Sequence, residues 1–142
     1  MERAIKININ SVKKYIKENE LDIDSNVVEP LFKGINQLII QRGSVTQDGY
    51  YLLEADISDI AKAGYGKGVT NQQEEGIADT IRKLRNMTII RKEPTGKSAV
   101  RIFSDLKWIY DIYDETETVM LEISSTLKED DEIVDFWRTL SL

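Results

Sequence analysis

Cysteine and histidine are both absent from this 142-residue chain. Without thiols there is no disulfide framework, no thiolate nucleophile and no Cys/His zinc site. Without imidazole the commonest general base is missing, so acid–base or nucleophilic chemistry would have to be assembled from carboxylates and hydroxyls. Long apolar runs are lacking as well. The opening MERAIKININS alternates apolar and polar residues, so neither a signal peptide nor a membrane span is expected. A domain of this length buries roughly 68–70% of its extended-chain surface, enough for a core without disulfide or metal staples. The composition leads us to expect a single soluble domain in the cytoplasm, with no cofactor and no metal.

What is present is charge, unevenly spread. The net value is −6, which argues against a generally basic nucleic-acid binder, yet the average hides three segments. Residues 1–61 carry seven Lys/Arg against ten Asp/Glu, residues 62–107 ten against five, and residues 108–142 two against ten. The balances are −3, +5 and −8. Because salt screens exposed charges over about 8 Å at physiological ionic strength, a local basic surface can attract phosphate on an acidic molecule.

Periodicity divides the chain into elements. Ile5, Ile7 and Ile9 alternate with polar residues, and Val12, Tyr15 and Ile16 follow at helical spacing, so 1–26 reads as a strand/helix arm. Leu31, Ile35, Leu38 and Ile39 recur at i, i+4, i+7 and i+8, predicting a first core helix over 27–42 that stops at Gly43, with Pro30 tolerable only in its first turn. Asp48-Gly49 signals a turn and 50–55 a short strand. Asp56 is placed to cap a short helix over 57–63 by accepting from Ser58 or Asp59, with Ile57, Ile60 and Ala61 inward and Gly64, Gly66 and Gly68 ending it. Thr70, with Gln73 three residues on, opens a third helix whose stripe is Ile77, Ile81 and Leu84, edged by Ala78.

The period then changes to two. Residues 87–92 and 99–103 are β-rich and flank the turn PTGKS, a hairpin signature. A second hairpin is predicted over 108–123, where Trp108/Tyr110/Ile112 and Val119/Leu121/Ile123 alternate around a polar tip. Ile133, Phe136, Trp137 and Leu140 fall at i, i+3, i+4 and i+7, predicting an amphipathic C-terminal helix over 129–142. The fold class expected is therefore α+β: a winged helix, meaning helix-turn-helix plus β-hairpin wing over 56–101, with an extra hairpin and a C-terminal helix. Its core spans 27–128.

Two glycine-rich stretches fail as nucleotide motifs. Gly96-Lys97-Ser98 looks like the end of a phosphate-binding loop, but Arg91 stands where the first glycine is required, and the setting is strand-turn-strand. Gly64-Tyr65-Gly66-Lys67-Gly68 follows a helix and lacks the third glycine of a dinucleotide fingerprint. Tyr110 and Tyr113 read as strand residues rather than nucleophiles, and the carboxylates Asp111, Asp114 and Glu115 as a solvated hairpin tip.

The third helix is the element a helix-turn-helix lays in the major groove. At about 100° per residue, the face opposite its apolar stripe carries Gln72, Glu75, Asp79, Arg82, Lys83 and Asn86. Two acids in mid-face disfavour deep insertion, so contact is expected at the helix N-terminus. Thr70, Asn71, Gln72 and Gln73 offer neutral hydrogen-bonding groups there, while Lys67, Arg82, Lys83, Arg91, Lys92 and Lys97 are candidates for phosphate.

Three stretches resemble the N-terminal winged-helix domain of the plasmid replication initiator (Rep) family. YYLLEADISDIAKAGY is similar to that family's strand and short helix, EEGIADTIRKLRNMTIIRKE to its third helix and following strand, and IFSDLKWIYDIYDETETVMLEISSTLKE to its tryptophan-bearing hairpin with a Ser-x-x-Leu close. The resemblance covers 27–128. It implies binding of double-stranded origin DNA, a monomer–dimer equilibrium through this domain, and no enzymatic activity. The alternative expectation is a protein-interaction or dimerisation module of a mobile element, using the −8 segment and the Phe136/Trp137 helix to hold a protein partner.

Overall fold

In a computed structural model, the structure describes residues 9–18, 20–47, 49–85, 87–93, 95–101, 103–113, 116–124 and 133–138. Among the described residues there are four helices and seven strands, in the order α1 (Ile9–Glu18), α2 (Ser25–Arg42), β1 (Ser44–Val45), β2 (Tyr50–Asp56), α3 (Ile57–Tyr65), α4 (Asn71–Leu84), β3 (Met87–Glu93), β4 (Gly96–Arg101), β5 (Phe103–Asp111), β6 (Thr116–Ser124) and β7 (Ile133–Arg138). The class is α+β, as expected. These strands pair into antiparallel sheets ordered β1-β2-β6-β5 and β4-β3-β7.

The core lies between the helices and one face of the first sheet. Leu31, Ile35, Leu38 and Ile39 of α2 are buried, with Ile57, Ile60 and Ala61 of α3 and Ile77, Ala78, Ile81 and Leu84 of α4. Val119, Leu121 and Ile123 of β6 close it from the sheet side, so the period-two reading of that strand holds. On β5 the alternation is interrupted. A register shift between Phe103 and Asp105 lets both Phe103 and Leu106 point inward, while Tyr110 and Ile112 run out beyond the core and are exposed.

α2 and α3 cross at near contact because glycines stand at the crossing. A Cβ at Gly34 would run into the carbonyl oxygen of Ile60, and one at Gly64 into that of Pro30. Gly64 therefore does not end α3 but lies inside it, and the helix continues to Tyr65 before Gly66, at φ 97°, turns the chain. Pro30 falls beyond the first turn of α2, because the helix starts at Ser25 behind the cap Asp24. The loss of a helical hydrogen bond there, about 3 kcal/mol in an isolated helix, is offset by the buried stripe of α2.

Other local expectations are corrected by longer-range partners. Asp56 makes no side-chain cap for α3; its Oδ1 accepts the hydroxyl of Thr118 on β6 at 2.7 Å. The segment expected as an arm is α1, whose Val12 and Ile16 are buried in the core; the alternating Ile5 and Ile7 lie outside the described residues. Of the expected turn pair, Gly49 sits in the β1–β2 connection at φ 82°, where the Thr46 hydroxyl oxygen accepts the Tyr50 N–H, and Asp48 lies outside the described residues.

The C-terminal helix is the largest correction. Residues 133–138 form a strand, β7, that pairs antiparallel with β3, Ile89 opposite Phe136 and Thr88 opposite Trp137. A short run such as IVDFWR fits helix and strand periods alike, and β3 supplies a free ladder edge that decides between them. No helical face formed by Phe136 and Trp137 is therefore available to a partner; residues 129–132 and 139–142 lie outside the described residues.

The hairpin expected as the wing exists as β3–β4, with Lys92 opposite Lys97. It does not join β2. The strands that pair with β2 come from the second hairpin, β5–β6, with Leu53 opposite Leu121 and Ala55 opposite Val119. Among the described residues no helix is long and apolar enough to cross a membrane.

Candidate functional site

The expected site centres on α4, and its local folding follows the sequence. The Thr70 hydroxyl oxygen accepts the Gln73 N–H at 3.1 Å and the Gln73 side chain accepts the Thr70 N–H at 3.0 Å, a complete capping box. Thr80, buried in mid-helix, satisfies its hydroxyl on the Gly76 carbonyl at 2.8 Å. With Ile77, Ile81 and Leu84 inward, Gln72, Glu75, Asp79 and Arg82 face the opposite side, and all four are exposed.

The ten candidate residues divide into three groups. Lys67, Asn71 and Gln72 gather, exposed, at the turn and first residues of α4, with Thr70 and Gln73 beside them. The capping box engages acceptor oxygens of Thr70 and Gln73, which leaves Asn71 and Gln72 as the neutral groups best placed to address a ligand. Arg82 and Lys83 stand near the other end of α4 and are paired within the molecule. For Arg91, Lys92 and Lys97 the structure describes the strands β3 and β4 that carry them, and their side chains lie outside the described residues.

The pairing of Arg82 and Lys83 is specific. Lys83 Nζ lies 2.9 Å from Asp79 Oδ2 and 3.5 Å from Asp22 Oδ2. The hydrogen bond to Asp79, together with the fields of Asp79 and Asp22, raises the Lys83 pKa above 10.5 against an opposing effect of desolvation. Arg82 Nη2 lies 3.1 Å from Glu117 Oε2, and its guanidinium carbon is 4.6 Å from the Trp108 ring centre. The same Glu117 oxygen accepts the Trp108 indole N–H at 3.1 Å. One carboxylate from β6 thus ties a cation on α4 to an aromatic ring on β5.

Between α4, the start of α3 and the start of β6 runs an open groove of 340 Å³. Among the described residues its wall carries four carboxylates, Asp56, Glu74, Glu75 and Glu117, against the single cation Arg82. A phosphate backbone laid along the middle of α4 would face that negative wall, which strengthens the expectation that deep insertion is disfavoured. Among the described residues no group of three or more carboxylates is placed to hold a metal ion.

Sequence reading missed Glu117, Trp108 and Asp22 as partners of the candidate cations. Only the Asp79–Lys83 pair, at i,i+4, had a local signal. Glu117 lies 35 residues from Arg82, and no periodicity announces such a contact.

Compared with models of known protein families, with curated proteins and with solved structures, the chain matches none.

Proposed function

We propose that this is a non-enzymatic, cytoplasmic DNA-binding domain of the winged-helix kind, resembling the N-terminal domain of plasmid replication initiators. The observation that carries the reading is topological. β2, α3 and α4 follow one another and the β3–β4 hairpin comes next, the later β5–β6 hairpin returns to β2 so that the sheet order β2-β6-β5 closes behind the two helices, and the N-terminal end of α4 is left in solvent. A helix N-terminus presents unpaired N–H groups and a positive dipole end to phosphate. In this reading Asn71 and Gln72 address base edges or sugar, Lys67 addresses phosphate from the turn, and Arg91, Lys92 and Lys97 add phosphate contacts from β3–β4. No residue is assigned chemistry.

Filter binding of a DNA duplex at several salt concentrations tests this. Affinity is expected to fall steeply with salt, and replacing Arg91, Lys92 and Lys97 together by Gln should shallow the log–log slope by about 0.9 for each phosphate no longer neutralised. Salt-independent binding, or no binding to any duplex at low salt, would sink the proposal.

A specific observation favours a second reading, a protein-interaction or dimerisation module of a mobile element. The outer face of the first sheet exposes Leu52, Ile109 and Met120, and the adjoining hairpin tip exposes Ile112 and Tyr113. Such a surface suits an apolar partner or a second copy. Sedimentation across a wide concentration range separates the readings: a strict monomer removes the homodimer form of this second one.

A further inference from the structure

Arg82 faces the groove beside α4, where a polyanion would approach the helix, yet its charge is already matched. Its guanidinium is gripped by Glu117 at 3.1 Å and lies over Trp108 at 4.6 Å. The carboxylate is itself oriented, because the oxygen that receives Arg82 also receives the Trp108 indole N–H. Three elements, α4, β5 and β6, each contribute one member. The arrangement is therefore more preorganised than an ordinary surface ion pair between two free side chains. Its solvent side remains open, with the Arg82 side chain 52% exposed. A carboxylate offers a guanidinium the same paired, anionic oxygen acceptors as a phosphate diester.

We infer that Glu117 is an internal competitor for phosphate, an autoinhibitory contact that withholds Arg82 from DNA until it is displaced. The inference rests on the DNA-binding reading above and concerns its regulation. While the Glu117–Arg82–Trp108 contact is closed, both cations in the C-terminal half of α4 are engaged, since Lys83 is held by Asp79 and Asp22. DNA contact is then confined to the N-terminal end of the helix and to β3–β4. Opening the contact adds a phosphate ligand on the groove side and draws the duplex toward the β5–β6 hairpin.

Glu117→Gln tests this, because glutamine keeps the shape and still accepts the Trp108 N–H while releasing the cation. Binding of a mixed-sequence DNA duplex is measured against salt for the wild type, Glu117→Gln, Arg82→Gln, the double variant, and Glu54→Gln. The last removes an equal charge from the outward-facing side of β2. Glu117→Gln is expected to bind about two- to fivefold tighter, the range of an exposed ion pair expressed as affinity, with a slope steeper by about 0.9. Arg82→Gln alone should leave slope and affinity within about twofold of wild type, and the double variant should forfeit the gain, because Arg82 reaches phosphate only when Glu117 is gone. Equal gains from Glu54→Gln and Glu117→Gln would reduce the effect to net charge and overturn the inference. So would a weakening beyond about threefold from Arg82→Gln in the wild type, which would put Arg82 on phosphate already. Wild-type binding unaffected by Glu117→Gln overturns this inference alone, whereas no binding by any variant at low salt removes the DNA reading with it.

Discussion

The two hairpins that follow α4 differ in pairing and in charge. The first, β3–β4, carries four basic residues against one acidic residue over 87–101, and the second, β5–β6, carries one against six over 103–124. The acidic hairpin is the one that pairs with β2 and closes the core under the helices, while the basic hairpin joins β7 in a separate sheet. Their roles therefore separate. The hairpin suited to phosphate by composition is not the one that builds the helix–sheet body, and the one that builds the body carries the acidic excess. The ten basic residues behind the +5 balance over 62–107 are consequently divided among elements: Lys62 on α3, Lys67 in the turn, Arg82, Lys83 and Arg85 at the end of α4, Lys107 on β5, and four on the β3–β4 hairpin of the other sheet.

The largest expected effect tests whether β5–β6 is the structural hairpin. Leu121 on β6 is 1% exposed, and Leu121→Ala should lower unfolding free energy by about 2–5 kcal/mol in urea denaturation, through reduced burial and the cavity left behind. A decrease below about 1 kcal/mol would break the comparison. A smaller effect sharpens the view of α4, which is tied to the acidic hairpin at one end and held by its own capping box at the other. Thr70→Ala should cost about 1 kcal/mol in thermal melts and leave the salt slope of DNA binding unchanged, since no charge is removed. A changed slope would mean that the helix end is positioned by more than its cap.

The smallest effect concerns Lys83. Hydrogen bonding to Asp79 raises its folded-state pKa above 10.5, so the stabilisation it brings is complete below the unfolded-state value and is lost as pH rises through the folded one. The melting difference between wild type and Asp79→Asn should therefore be constant near neutrality and shrink above about pH 10.5. A difference that stays level through that range would show that Asp79 acts through packing rather than through the Lys83 ammonium.

Much of the helical part of the fold was legible along the chain. The stripes of α2 and α4, the Thr70/Gln73 capping box and the alternation of Val119, Leu121 and Ile123 all follow from interactions within a few residues, which periodicity and cap chemistry record directly. The failures share one cause. β1 has only two residues and exists because Ser44 and Val45 meet Leu52 and Tyr51. Residues 133–138 became a strand because β3 had an edge to fill. Asp56 left its expected cap for Thr118, 62 residues away. In the candidate site, the exposed N-terminal end of α4 was foreseeable, while the capture of Arg82 by Glu117 and Trp108 was not.

The sequence by itself determined which segments carry helical and alternating patterns, where α4 begins, and that any chemistry must do without thiol and imidazole. These depend on residue type and on neighbours within a turn or two. Tertiary structure alone decided which hairpin completes the β2 sheet, how closely α2 and α3 approach at Gly34 and Gly64, and which cations remain available to a ligand. Those outcomes depend on what meets across space, where an open strand edge or a carboxylate 35 residues away outweighs the local preference of the residue it reaches.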